Sequence, residues 1–494
     1  MENGRGIALP GALIAASVAA RLAQLQWLHP LQWDEVEYFR ATDWVRQGLV
    51  PYRDFWEHHT PLQWFLFAPV TALVHWPGVA SIIALRWAQL PLWIAAFALL
   101  ASWMRHAGIP RAARWCAMAL ALTSSFFMLP AVEYRVDVLA GTLMLLGLVL
   151  LQRARFAWAG AAFALAGFAN LRFGPVVVVA MLAALWFYGR RAAWSIAGAA
   201  AATAAASLYF AGTHSAGIAF RRVFTENALS DRLQQNIAGI FVHRLLAPFG
   251  INLLGHSFSP SGIDPAGILL IVLTIVGLVR GRGELRFLAI VGVVNLLFIA
   301  RMKFVFNYHF EIAVLLALPL VAVGAHGVRP KLIAIALVAA TIANVAVALF
   351  RGKEADLQYQ DLIMREADRR TPPGGRVFDS VGWALHRKPA YEYWFLRHIV
   401  FELESRRVFA TYVPSPPPDA IIADHDTRRW LVAHPSLRAF VAANYVPVGR
   451  DLWLPRARAA GMAPIPPSPP DVSIDAEAAP RWHVPRLGYN AAPR

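Results

Sequence analysis

The chain has 494 residues, 58% of them hydrophobic and only 15% charged, and its mean hydropathy is +0.47. Soluble domains carry about a quarter charged residues, so an ordinary soluble fold is excluded and the surplus apolar surface needs lipid to cover it. The formal net charge is +16, but no zinc-finger spacing or RNA-binding signature accompanies it; the charge is read as basic loops that orient membrane helices, and no nucleic acid is expected as a partner.

Apolar runs reach the roughly 20 residues that span a bilayer. In chain order they fall near 7–26, 81–104, 114–131, 138–152, 156–171, 174–189, 192–211, 265–280, 286–300, 309–325 and 331–350, about eleven spans. A segment in lipid must satisfy its backbone groups internally, which makes these runs helices. The first run lacks an A-x-A exit and reads as a retained helix rather than a cleaved signal. Cys116 is the only cysteine, so no intramolecular disulfide or cysteine metal cluster can form.

Orientation follows the Lys and Arg placement. Arg105, Arg111 and Arg114, then Arg153 and Arg155, Arg190 and Arg191, Arg280, Arg282 and Arg286, and Arg329 with Lys331 all fall on one side of the spans. That side is taken as the cytoplasm. The N-terminus is then cytoplasmic, and residues from 351 onward lie outside an inner (plasma) membrane crossed many times. The stretch 61–76 is apolar but short and holds Pro61 and Pro69. Counting it as a span would put the Arg clusters outside, so it is read as an interfacial helix.

The expected fold is therefore an all-α polytopic membrane protein with a small C-terminal extracytoplasmic α/β domain. Residues 1–350 form the transmembrane part. Residues 351–456 show strand-like runs at Arg376 to Phe378, Ala420 to Ala423 and Tyr445 to Leu454. Residues 457–494 are a Pro- and Ala-rich tail. Two outer loops are long, at about 27–60 and 212–264, and the second is expected to hold a surface helix.

Charges at membrane depth are costly and usually have a task. Asp34, Glu35 and Glu37 open an amphipathic helix that runs to Gln47 and stops at Gly48. Asp34 as cap with Glu37 three residues on fits a capping box, and that reading is at least as good as a catalytic one. Asp137, beside Arg135, fits a helix cap and a functional carboxylate about equally. Arg172, before Gly174-Pro175, fits a snorkelling side chain or a phosphate clamp. Arg301, Lys303 and Tyr308 sit in an outer loop against the positive-inside trend. The His58-His59 pair is adjacent rather than four apart on a helix. Spacing alone gives no reason to expect a shared metal ion, and no metal or other cofactor is expected.

The first loop carries the acidic pair Asp34-Glu35, then Tyr38, then Gly48-Leu49-Val50-Pro51-Tyr52-Arg53-Asp54-Phe55 and a His before Thr60-Pro61-Leu62. This order resembles the first extracytoplasmic loop of GT-C class glycosyltransferases. It is most similar to the protein O-mannosyltransferase and lipid A aminoarabinose transferase group. The resemblance implies a GT-C-like fold with interfacial helices, and transfer of a hexosyl or pentosyl group from a polyprenyl-phosphate sugar donor to a lipid, glycan or protein acceptor. It implies Asp34, with Glu35 beside it, as base or acceptor-orienting group. It implies Asp137 facing the cavity, and His59 and Arg172 on the donor phosphate; Arg301, Lys303 and Tyr308, by their placement in an outer loop, and Arg135, by its charge, are expected on the same phosphate. His58, Tyr52 and Asp54 would shape the substrate loop. The family usually has a second Pro at the position of Thr60, and often Lys at that of His59. The competing reading is a polytopic lipid or solute transporter or flippase, which would usually show paired repeats; none is found.

Overall fold

The computed structural model describes residues 26–226, 237–252, 257–302, 306–326, 354–391 and 414–465, with isolated positions between them. Helix α1 is Trp33–Arg46, followed by α2 (Leu62–Thr71), α3 (Ala80–Ala88), α4 (Leu90–His106), α5 (Arg111–Thr123), α6 (Ser125–Ala131), α7 (Val136–Gln152) and α8 (Phe156–Ala169). Then come α9 (Gly174–Tyr188), α10 (Ala193–Gly212), α11 (Ala216–Phe220) and α12 (Ile237–Leu246). A hairpin of β1 (Phe249–Asn252) and β2 (Ser257–Ile263) precedes α13 (Pro265–Arg280), α14 (Glu284–Arg301) and α15 (Glu311–Ala325).

Helices occupy the expected apolar segments from 81 to 325. The segments 7–26 and 331–350 lie largely outside the described residues. Among the described residues, three continuous helical stretches are long and apolar enough to cross a membrane: Ala80–His106, Leu171–Gly212 and Tyr308–Ala325. The expected count of about eleven spans is therefore not reproduced. Helices α7, α8 and α13 are apolar but shorter, and the expected 114–131 helix breaks at Ser124. Helix α2 has 10 residues with Pro69 inside it. At 1.5 Å per residue it is about 15 Å long, too short to cross a bilayer.

Small residues let the helices touch. A Cβ on Gly160 would strike the Ser195 carbonyl, and one on Gly198 that of Ala157, so α8 and α10 meet backbone to backbone. Gly277 and Gly324 join α13 to α15 in the same way. Close backbone approach replaces the hydrophobic drive that lipid removes.

The two ends of the bundle differ chemically. At one end Arg153 Nη2 donates to Ser102 Oγ at 2.8 Å, Gln152 Nε2 donates to Glu284 Oε2 at 2.6 Å, and Arg280 Nη1 donates to the His326 carbonyl at 3.1 Å. This end gathers the Arg-rich turns. The other end gathers α1, the 132–135 turn, Asn170 to Arg172 and the start of α15, where the charged side chains are buried.

The C-terminal unit starts with α16 (Glu354–Arg370). Its sheet has the order β4-β3-β5-β7-β6, from β3 (Arg376–Phe378), β4 (Lys388–Pro389), β5 (Ala420–Ile422), β6 (Tyr445–Pro447) and β7 (Leu452–Pro455). The β3 pairings are parallel, and those of β7 are antiparallel. The single run expected at Tyr445 to Leu454 is a hairpin, because the chain turns at 448–451. Helices α17 (His425–Ala433) and α18 (Pro435–Asn444) connect β5 to β6. The 457–494 tail lies mostly outside the described residues.

One hydrophobic cluster runs from α1 into this sheet, with Val36, Phe39 and Trp44 packed in the same core as Phe378, Trp383 and Trp394. Arg40 of α1 enters the unit and is 2% exposed. Its guanidinium donates to the carbonyls of Gly382 (3.1 Å), Ala384 (3.3 Å) and Arg387 (2.7 Å) and lies 4.9 Å from the Trp44 ring centre. Gly382 has φ +85°, and a Cβ there would land on the Arg40 side chain; Gly48, also at φ +85°, faces open space. Both Gly→Ala changes force a left-handed residue, worth about 1–2 kcal/mol. Gly382→Ala is expected to lower the thermal unfolding midpoint in detergent clearly more than Gly48→Ala, and equal shifts would show that Arg40 does not pin this interface.

Candidate active site

The start of α1 sets the frame. The N-cap is Gln32, and its N–H donates to Glu35 Oε2 at 3.0 Å. The expected Asp34–Glu37 box is therefore shifted by two residues, to Gln32 and Glu35: Glu35 takes the capping duty, and Asp34 and Glu37 are turned to other partners. Glu35 is fully buried, paired with Arg86 of α3 through contacts of 2.7 and 2.6 Å, and it also accepts the Tyr134 N–H at 2.8 Å. Arg86 further donates to the carbonyls of His29 (2.8 Å) and Pro30 (3.1 Å). This pair fixes α1, α3 and the 132–135 turn to one another.

Arg135 is the centre of the site. It is the N-cap of α7, with extended backbone, so its side chain leaves the helix start toward α1. Its Nη2 donates to Asp34 Oδ2 at 2.6 Å, its Nη1 to Glu133 Oε2 at 2.9 Å, and its Nε to Asp137 Oδ2 at 3.4 Å. The guanidinium lies 3.3 Å from the Tyr308 ring centre, and that of Arg172 lies 5.1 Å from the same ring. Such cation–ring stacking is strong where water is excluded. Asp137 is in the first turn of α7 rather than its cap. Its Oδ1 accepts from Asn170 Nδ2 at 3.0 Å and lies 3.7 Å from Arg172 Nη2. Asn170 also caps the short turn that carries Arg172. Four chain segments thus meet at two arginines.

Burial opposes the charge on Asp34, but the Arg135 guanidinium outweighs it and holds the carboxyl below its ordinary range. Burial raises Glu133 to about 8, against the pull of Arg135. Glu133 Oε1 lies 3.3 Å from His29 Nε2. The Asp34 side chain keeps 24% of its surface open, whereas Arg135 keeps 1%. Beside the network is a small, partly open pocket lined by Asp137, Arg172, Asn295, Tyr308 and His309 together with apolar side chains.

Asp34, Asp137, Arg135, Arg172 and Tyr308, far apart in the chain, are therefore brought together. Other expected residues go elsewhere. Glu35 has the structural pairing above. His59 joins Glu37 and Glu57, and His58 lies 3.2 Å from Glu37. Buried Tyr52 donates to the His59 carbonyl at 2.6 Å. Asp54 closes its own turn by accepting the Val50 N–H at 2.7 Å and pairing with Arg53. Arg301 ends α14 exposed to its surroundings, and no ion pair links it to this cluster among the described residues. Lys303 lies outside the described residues. Sequence reasoning missed Asn295, His309 and Glu311. Glu311 is 3% exposed and has no hydrogen-bond partner for either oxygen. The available signal was an ionisable pair at the head of an apolar span.

No family model matches the chain, and no curated protein matches it. The fold, however, is that of solved ArnT. The chain is similar to ArnT from Cupriavidus metallidurans in the apo state, with TM-score 0.60 and 13% identity, covering 94% of this chain and 100% of that one. The likeness to the same protein bound to undecaprenyl phosphate has TM-score 0.61 and 12% identity, with the same coverage.

Removing one member of a buried ion pair costs about 3–5 kcal/mol because a charge is stranded. Arg86→Met is expected to destabilise the protein by that order. Arg86→Met combined with Glu35→Gln should recover much of the loss, since the amide oxygen still accepts a backbone N–H and no charge remains. Thermal unfolding of the purified variants tests this, and a double variant no better than the single one would refute the pairing as the anchor.

Proposed function

We propose that the chain is a multi-pass membrane glycosyltransferase that takes a sugar from a polyprenyl-phosphate carrier and gives it to an envelope acceptor on the extracytoplasmic face. The carrying observation is the Asp34–Arg135–Asp137–Arg172 network, stacked on Tyr308 beside a pocket. Two observations agree with it. The fold is that of ArnT, one solved form of which is bound to undecaprenyl phosphate. The first-loop motif resembles the protein O-mannosyltransferase and lipid A aminoarabinose transferase group.

In this reading an acceptor nucleophile attacks the anomeric carbon. The bond from that carbon to the phosphate oxygen breaks, and its electron pair leaves with the phosphate. Arg172 and Arg135 stabilise the growing negative charge, the kind of preorganised electrostatics that carries most catalysis. Tyr308 holds the two guanidinium planes. Asp34 accepts the acceptor's proton, and Asp137 orients both arginines. Attack opposite the leaving phosphate inverts the anomeric centre without a covalent enzyme intermediate. Glu35 is a positioning residue, because its carboxylate acts through Arg86. The basic turns at the far end of the bundle face the cytoplasm, and the α/β unit borders the acceptor entrance.

The direct test is transfer of labelled sugar from a polyprenyl-phosphate donor by the purified protein, with mass spectrometry of envelope glycolipids identifying the acceptor. Asp34→Asn should reduce turnover by roughly 10²–10⁴-fold. The same change frees Arg135 from its shortest ion pair, so binding of polyprenyl phosphate itself should stay intact or tighten. Near-normal turnover, or loss of carrier binding in a folded variant, would remove Asp34 from the role of base.

The pH dependence has a definite sign. Glu133, raised to about 8, is protonated at neutral pH and competes weakly for Arg135. Its contribution to stability is complete below the unfolded value of about 4.3 and disappears as the pH rises through 8. Ionisation above 8 adds a negative charge where the leaving phosphate must be stabilised. Turnover per donor bound should fall on that limb in the wild type, and Glu133→Gln should flatten it. An unchanged alkaline limb in that variant would dissociate Glu133 from the donor site.

A further inference from the structure

One turn beyond Asp34, α1 carries Glu37, and the chain returns over it as Glu57-His58-His59. We infer that these four side chains form a binding site for one divalent first-row metal ion, with zinc the best fit. The inference is independent of the proposed sugar transfer, since it rests on a different cluster.

The geometry is the argument. His58 Nδ1 lies 3.2 Å from Glu37 Oε1 and 3.5 Å from Glu57 Oε1; His59 Nδ1 lies 3.5 Å from Glu37 Oε1 and 3.1 Å from Glu57 Oε1. Ligand atoms about 2.0–2.1 Å from a tetrahedral zinc ion are about 3.3 Å from one another. All four His-to-Glu distances bracket that edge length, and the four ligand atoms lie within 4.8 Å of one another. The adjacency of His58 and His59, which argued against a shared ion on a helix, is irrelevant here. The two residues follow an extended turn and present the same ring nitrogen to the same two carboxylates.

Burial and charge agree. Glu37 and Glu57 are both fully buried. Both oxygens of Glu37, and Oε2 of Glu57, lack a hydrogen bond. Two buried carboxylates need two positive charges close by, and a divalent ion with neutral imidazoles supplies them at one point. Two imidazoles with two carboxylates suit zinc better than the oxygen-only preferences of magnesium or calcium.

The outer shell is also built. Tyr38 Oη lies 3.4 Å from His59 Nε2, the kind of second contact that fixes a ligating ring. His58 stacks on Trp56 with centroids 5.2 Å apart. The backbone N–H groups of His58 and His59 donate to Glu57 Oε1 at 2.8 and 3.0 Å. The ion would tie the 51–60 loop to α1 and so set the position of Asp34, which makes its ligands positioning residues.

The test uses tag-free full-length protein in detergent, stripped with a chelator and without sugar donor. Zinc added and then desalted should remain at about one equivalent per chain and raise the thermal midpoint, as any ligand of the native state does. Cobalt(II) in its place should give the intense visible bands of a tetrahedral site. Glu57→Gln and His58→Ala should each lower retained zinc at least tenfold, while His425→Ala, in the α/β unit, should leave it unchanged. Should a variant fail to fold, the cobalt spectrum of the wild type still decides. Absence of retained zinc, a pale octahedral cobalt spectrum, or retention equal in the ligand variants and the wild type would overturn the site.

Discussion

Separate chain segments converge on a single guanidinium, that of Arg135, at one end of the bundle. It is bonded to acidic side chains from α1, from the 132–135 turn and from α7, and its Cζ lies 3.3 Å from the centre of the Tyr308 ring, in the segment before α15. Each carboxylate alone would be costly to bury. Glu133 is protonated at neutral pH, so two carboxylates face the two guanidiniums of Arg135 and Arg172, and the charges balance without fixing where each segment sits. The elements must therefore be positioned by something else, and the Glu35–Arg86 pair beneath them does so, along with the Arg40 anchor into the α/β unit. The network is a result of the scaffold, and the partly open side chains of Asp34 and Arg172 are what make it chemically available.

That scaffold was legible in the sequence where physics is local. Lipid forces each apolar segment to satisfy its own backbone, so helices from 81 to 325 could be read from hydrophobic runs. The strands Arg376–Phe378 and Ala420–Ile422 were legible as short apolar runs between turn residues. Gly48 ended α1 as expected, with the left-handed φ that stop requires. What failed was context. The capping frame of α1 moved by two residues because Glu35 had a distant arginine to satisfy, which no window of neighbours contains. The two-residue strand β4 and the hairpin β1–β2 have too little periodicity to read. The count of about eleven spans is not confirmed among the described residues, because α7, α8 and α13, each read as a span from its apolar run, are apolar helices of fewer than 18 residues.

The site shows the same division. Residue types were visible: acids and bases at the heads of apolar runs, where charge is rarely tolerated without a task. Their grouping was not. Asp34 and Arg135 are 101 positions apart, and nothing in spacing separates Arg172, which joins the network, from Arg301, which does not. His59 looked like part of a phosphate site by its place before Thr60-Pro61-Leu62, yet its ring faces Glu37 and Glu57. Tyr52 and Asp54, equally prominent in the motif, shape the loop itself: one bonds a backbone carbonyl and the other closes a turn.

The pairing of Asp34 with Arg135 has a consequence for the order of events in the proposed reaction. While the pair is intact, the arginine holds Asp34 below its ordinary range, which makes it a poor base. A carrier phosphate entering beside Arg172 competes for the same guanidinium and adds negative charge next to Asp34. Both effects raise the proton affinity of the carboxylate. The base thus gains strength only once the donor is seated, and an acceptor or water molecule arriving early meets a weakly basic carboxylate. The same electrostatics that stabilises the leaving phosphate would then set the sequence, donor before acceptor, without any moving lid.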